Sequence, residues 1–136
     1  MPSIALANGC FDVLHIGHIE HLKAASQLAE ILIVALTSDN TMREEKGEGR
    51  PIHCFADREK MLKSFGFVSQ VVPSDYLPSV IEKIKPSVLV KGQDWLGKIP
   101  DDVLQACVAN GTTIAFTMTR KLSSSSIIAR MKHETR

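Results

Sequence analysis

Two histidines, His15 and His18, flank Gly17 in the run Asn8-Gly9-Cys10-Phe11-Asp12-Val13-Leu14-His15-Ile16-Gly17-His18. Imidazoles at that spacing can donate hydrogen bonds to an oxyanion whose charge grows in a transition state. A glycine between them lets backbone or ligand approach closely. The run lies between a short apolar stretch and a segment of helical period. There the unpaired N–H groups and the dipole of a helix start already favour phosphate. The chemistry this predicts is phosphate handling, with Gly9 giving the chain a sharp exit from the preceding strand. A single histidine would read more simply as a cap or a half-buried residue, but two in one glycine-containing turn favour function. His21 has no Cys, Asp or Glu partner at ligand spacing and reads as structural rather than metal-binding. The turn is not G-x-G-x-x-G, so a dinucleotide redox domain is not indicated.

The elements that must position this turn follow from the pattern of apolar residues. Runs rich in Val, Ile and Leu at Ile4 to Ala7, Ile31 to Thr37, Val68 to Val72, Val88 to Val90 and Thr113 to Phe116 read as buried parallel strands. Between them, Gly17 to Glu30 places Ile19, Leu22, Ala25 or Ser26, and Ala29 on one helical stripe. Further helices are expected at Asp57 to Phe65, Pro78 to Lys85 and Asp101 to Ala109, the last stopped by Asn110-Gly111. A final helix is expected to start within Ser123 to Ser126. The charged, glycine-bearing stretch from Met42 to Ile52 reads as a mobile loop long enough to cover a site. This order predicts an α/β fold, a Rossmann-like doubly wound parallel sheet of about five strands, with ligands beyond the carboxyl ends of the strands.

Composition narrows the field. A chain of 136 residues fits one domain, here 1–136, and 44% hydrophobic with 23% charged residues excludes disorder. The net charge of +1 suggests no broad surface for nucleic acid or an anionic membrane. Cys10, Cys54 and Cys107 are too few and too scattered for a disulfide framework or a metal knuckle. With no signal-like N-terminus and no membrane-spanning run, a cytoplasmic location is expected.

Gly9-Cys10-Phe11-Asp12-Val13-Leu14-His15-Ile16-Gly17-His18 resembles the G-x-F-D-x-x-H-x-G-H signature of the cytidylyltransferase-like nucleotidyltransferases. The resemblance continues through Thr37-Ser38-Asp39, Lys46-Gly47-Glu48-Gly49-Arg50-Pro51, Arg58, Val90-Lys91-Gly92-Gln93-Asp94-Trp95 and the serine run. It implies transfer of a nucleoside monophosphate from a nucleoside triphosphate to a small phosphorylated acceptor, with pyrophosphate leaving. His15, His18 and Lys46 are then expected at the reacting phosphates. Gly9, Cys10, Phe11, Asp12, Gly17, Lys91, Gly92 and Asp94 are expected around the nucleotide. Ser123, Ser124 and Ser125 would form a second phosphate cradle at a helix start. Asp39, Arg50, Arg58 and Trp95 are expected on the acceptor or phosphate side, guanidinium being suited to bidentate oxyanion binding. The expected cofactor is Mg²⁺ carried by the triphosphate, with Asp12 as a carboxylate that could assist. No residue is assigned outright as a metal ligand, and a homodimer is expected from the resemblance alone.

Simpler readings exist for several of these. Lys46 is also explicable as a solvated charge, Arg58 as an exposed helix residue paired with Asp57 or Glu59, and Cys10 as packing. Gly92 also suits an ordinary strand-ending turn, and Trp95 a cover for the sheet edge. Two branches of the family divide the evidence. Lys46 to Pro51 and Leu89 to Gly92 look like adenylyltransferases that activate heptose 1-phosphate for bacterial surface glycans. Asp94-Trp95-Leu96-Gly97-Lys98 is similar to the D-W-x-G-K segment of glycerol-3-phosphate cytidylyltransferases. Gly66-Phe67-Val68-Ser69-Gln70 stands where that second branch carries R-Y-V-D-E. Met118 and Lys121 replace the arginine and glycine of its R-T-x-G-I-S-T-T element. These departures favour ATP with a sugar 1-phosphate, leaving CTP with glycerol 3-phosphate as the alternative. A non-catalytic nucleotide-binding module would be expected to lack a histidine or the loop lysine, and all three are present.

Overall fold

A computed structural model of the chain describes residues 2–118. Its strands are β1 (Ile4–Gly9), β2 (Ile31–Thr37), β3 (Gln70–Ser74), β4 (Val88–Gly92) and β5 (Thr113–Thr117). All pair in parallel, in the spatial order β3-β2-β1-β4-β5. The helices are α1 (Ile16–Ser26), α2 (Asp39–Lys46), α3 (Phe55–Lys63), α4 (Leu77–Ile84) and α5 (Asp101–Asn110), with a 3₁₀ turn at Gln93–Trp95.

Side chains on a strand alternate between faces, and the two cores follow that alternation. Ala5 and Ala7 of β1 join Leu32, Val34 and Leu36 of β2 in a cluster with Leu22 and Ala25 of α1 and Leu62 of α3. The intervening Leu6, Ile33 and Ala35 join Leu89 of β4, Ile81 of α4, and Val103 and Cys107 of α5 in another. Helices therefore cover both faces, as the doubly wound fold requires. The chain runs outward from β1 to β3, then returns to place β4 on the other side of β1. The crevice between the carboxyl ends of β1 and β4 is thus the switch point where such sheets bind ligands. Among the described residues no helix is long and apolar enough to cross a membrane.

Two expectations are corrected. Met42 to Lys46 belongs to a helix, not to a mobile loop. Ser38 Oγ accepts from the Thr41 amide, Asp39 opens the first turn, Arg43 and Lys46 close the last, and Gly47 caps it at φ 91°. Met42 is the one buried residue of that helix, so no apolar stripe betrays it. The third strand also lies further along than Val68 to Val72. It continues through Pro73, which β3 accommodates because it is an edge strand. The serine run and its helix lie outside the described residues.

Candidate functional site

The two histidines organise the start of α1 by themselves. His15 is the N-cap, in extended conformation, and its Nδ1 accepts from the Gly17 amide at 3.0 Å. The His15 amide in turn donates to Nδ1 of His18 at 3.3 Å. This is a capping box with imidazoles in place of hydroxyl and carboxylate. An imidazole nitrogen that accepts carries no proton, so both rings are held as the tautomer with the proton on Nε2. The rings stack at a centroid distance of 3.8 Å, and Phe11 meets His18 edge-on at 5.2 Å. Burial, with His15 and then His21 adding repulsion, pushes the His18 pKa down to about 4. His18 is therefore a neutral N–H donor at neutral pH.

Gly9 owes its place to a neighbour rather than to the exit of the strand. A Cβ there would sit 3.0 Å from the Phe11 ring, and it is Phe11 that takes the left-handed conformation, at φ 46°. A non-glycine residue in that region costs on the order of 1–3 kcal/mol, which the surroundings must hold in place. Phe11 is buried in the core cluster of β1 and β2.

Asp12 and Arg58 are both wholly buried. Asp12 Oδ2 accepts from Arg50 Nε at 2.7 Å and the Ile52 amide at 2.9 Å, while Oδ1 accepts from the His53 amide at 2.9 Å. Burial alone would raise its pKa. The amides of His53 and Ile52 and the Arg50 guanidinium outweigh that and hold it below the ordinary range. Arg58 donates from Nη1 to the carbonyls of Cys10 and Thr37, from Nε to that of His53, and from Nη2 to Asp39 Oδ1. It is thus not the exposed helix residue of the simpler reading, and Asp39 is paired with it. Cys10, half-buried, contributes its backbone carbonyl to the same clasp.

At the end of β4, Lys91 is buried with its Nζ 2.9 Å from Asn8 Oδ1 and 4.1 Å from the centre of the Trp95 ring. Burial pushes its pKa down to about 8, with Asp94 pulling the other way. A Cβ on Gly92 would lie 2.7 Å from Asp94 Oδ1, so the carboxylate occupies the space that glycine leaves. His21 hydrogen-bonds Thr117 at the end of β5, and its pKa is lowered by burial and by Lys91 against the pull of Asp94. Sequence reasoning gave no role to Asn8 or Thr117, whose only cue was their position at strand ends.

The structure brings together His15, His18, Phe11 and Gly17 on one side, and Lys91, Gly92, Asp94 and Trp95 on the other. Lys46 ends α2 with its side chain exposed, and the segment after it returns to the first turn through Arg50. Ser123, Ser124 and Ser125 lie outside the described residues. Among the described residues, no group of three or more His, Cys, Asp or Glu side chains is placed to hold a metal ion. Asp12, the carboxylate that could assist Mg²⁺, is already engaged by three donors.

Comparison with known proteins matches residues 6–130 to the family described as Cytidylyltransferase-like. The chain is 46% identical over 97 residues to the "Bifunctional protein HldE" of Campylobacter concisus (strain 13826), covering 70% of this chain and 21% of that protein. It is 39% identical over 131 residues to the protein of the same name from Campylobacter curvus (strain 525.92), covering 95% of this chain and 27% of that one. It therefore spans 21% and 27% of the length of these two relatives. Among solved structures, the lipopolysaccharide core biosynthesis protein from Thermoplasma volcanium GSS1 superposes with a TM-score of 0.71 at 25% identity, covering 90% of this chain and 100% of that one.

Proposed function

Since the chain belongs to the cytidylyltransferase-like family of nucleotidyltransferases, we propose that it transfers AMP from ATP to a sugar 1-phosphate such as heptose 1-phosphate, releasing pyrophosphate. The observation that carries this reading is the self-capped histidine pair, two imidazoles tautomerically fixed as Nε2–H donors beside the switch-point crevice.

In the proposed reaction an oxygen of the acceptor phosphate attacks the α-phosphorus in line, and the bond from that phosphorus to the bridging oxygen of the pyrophosphate breaks. The leaving pyrophosphate takes the electron pair. Little covalent help is needed, so alignment and stabilisation of growing charge dominate. His15 and His18 donate from Nε2 to the α-phosphate and the bridging oxygen, where charge develops. A neutral donor of fixed tautomer needs no proton transfer to act. Lys46 reaches the β- and γ-phosphates, as do Ser123, Ser124 and Ser125. Gly9, Gly17 and Gly92 let the nucleotide lie against backbone. Lys91 and Asp94 face its ribose and base, and Trp95 walls the acceptor side. Mg²⁺ belongs to this reading as a companion of the triphosphate, and no step is assigned to it.

Support for the sugar 1-phosphate acceptor comes from the segments Lys46 to Pro51 and Leu89 to Gly92. The likeness to the lipopolysaccharide core biosynthesis protein of Thermoplasma volcanium points the same way. Cytoplasmic location and a homodimer complete the reading, the latter checked by light scattering. The decisive assay is pyrophosphate release from ATP and from CTP, each with heptose 1-phosphate, other sugar 1-phosphates and glycerol 3-phosphate. Release from ATP with a sugar 1-phosphate is expected. Release from CTP with glycerol 3-phosphate replaces this reading by its sister branch. Nucleotide binding without release across the panel replaces it by a non-catalytic module.

A further inference from the structure

His53 is gripped at both ends of its backbone. Its amide donates to Asp12 and its carbonyl accepts from Arg58, so a buried anion and a buried cation hold one residue from opposite sides. The same anion takes Arg50 and the Ile52 amide, and the same cation takes the carbonyls of Cys10 and Thr37 and the carboxylate of Asp39. Residues 50–53 are thereby fastened to the turn that leads to the histidines, and α2 is fastened at its first residue. Between the two fastenings lies Lys46, followed by Gly47 at φ +91° and Gly49 at φ +88°, each with nothing within 4 Å of where a side chain would begin. Lys46, the last residue of α2, therefore stands between two fastened points.

We propose that Asp12 and Arg58 are positioning residues for the triphosphate: they set where Lys46 stands relative to His15 and His18 without touching the nucleotide. Both side chains are wholly buried. Asp12 already accepts three hydrogen bonds, and Arg58 donates four of its possible five. A phosphate reaching either would have to displace bonds that hold the site together. Their influence must pass through the segment they fasten, which carries Lys46, exposed at the end of α2. The inference rests on the reading of Lys46 as a triphosphate contact.

The test is calorimetric binding of ATP and of AMP to the full chain, in Lys46→Ala, Asp12→Asn and the double variant. Each single variant is expected to weaken ATP by about tenfold while leaving AMP unchanged, the size of one charge-assisted contact. The double variant is expected to be no weaker than either single one, because the second change removes nothing the first has left in place. Additive losses in the double variant overturn the inference, as does an equal loss for AMP and ATP, or an Asp12→Asn protein that binds ATP normally. Normal ATP binding by Lys46→Ala instead overturns the reading of Lys46, and the inference with it. If Asp12→Asn does not fold, Arg58→Lys takes its place. It keeps the charge but cannot reach four oxygens with one ammonium, and the same outcomes decide.

Discussion

At the carboxyl end of β1, the buried charges are themselves held: Asp12 by three donors and Arg58 by four acceptors. One strand away, at the end of β4, the buried Lys91 has an amide oxygen and an indole face for neighbours, with Asp94 acting through space. The first arrangement is spent on the fold itself, and its product is a frame for the turn that carries His15 and His18. The second keeps a cation in a crevice with soft partners, which an incoming anion or polar group can improve upon. On the proposed reading, chemistry and recognition are divided between the two sides of the switch point.

The largest expected difference is in stability. Arg58→Met strands four oxygens around a site built for a cation, and a loss of about 3–5 kcal/mol is expected in urea denaturation. Lys91→Met, which removes a buried cation and keeps its volume, is expected to be neutral or stabilising without ligand. Similar losses in both would break the comparison. Turnover should divide in the opposite sense. His15→Asn keeps an oxygen near the position of Nδ1, and so the cap, but removes the Nε2 donor. Steady-state assay is expected to show about a 10²-fold loss in turnover with the melting temperature little changed, as for other lost oxyanion donors. Lys91→Met is expected to raise KM more than it lowers kcat.

Protonation sharpens the contrast further. His18 has a folded pKa near 4 against 6.5 for the free side chain, so between those values the unfolded chain binds the extra proton. Stability from this group is complete above pH 6.5 and falls as pH drops toward 4, by at most ~3 kcal/mol. Imidazole NMR of the free protein should place His18 well below 6.5, and a value at or above that breaks the assignment of a neutral donor. The smallest expected effect is at Trp95. Trp95→Leu removes a cation–π contact worth about 0.5–1 kcal/mol, and Lys91 should titrate lower by under about one unit.

Strands and helices with an apolar face were legible because burial writes itself into periodicity, and His15 and His18 because their spacing matches a helix start. Helix α2 was not, since its single buried residue, Met42, makes no stripe; its cues were the cap at Ser38 and the stop at Gly47. The roles of Asp12 and Arg58 were hidden for a different reason. A charged residue's burial depends on partners up to 48 positions away, and residue type alone cannot tell a phosphate ligand from a clasp. Gly9 misled in kind, because the unusual backbone angle belongs to Phe11, which no composition rule would select.

The reciprocal cap between His15 and His18 has a bearing on descent. Because each imidazole uses one nitrogen to start α1, and the proposed reaction uses the other face of the same rings, folding and turnover would be selected through the same two side chains. A lineage that lost its reaction would still be held to both histidines by the needs of its first helix. Their persistence then marks the architecture as strongly as the activity, and drift after loss of function should show first at Lys46 and around Lys91, where the fold asks for less.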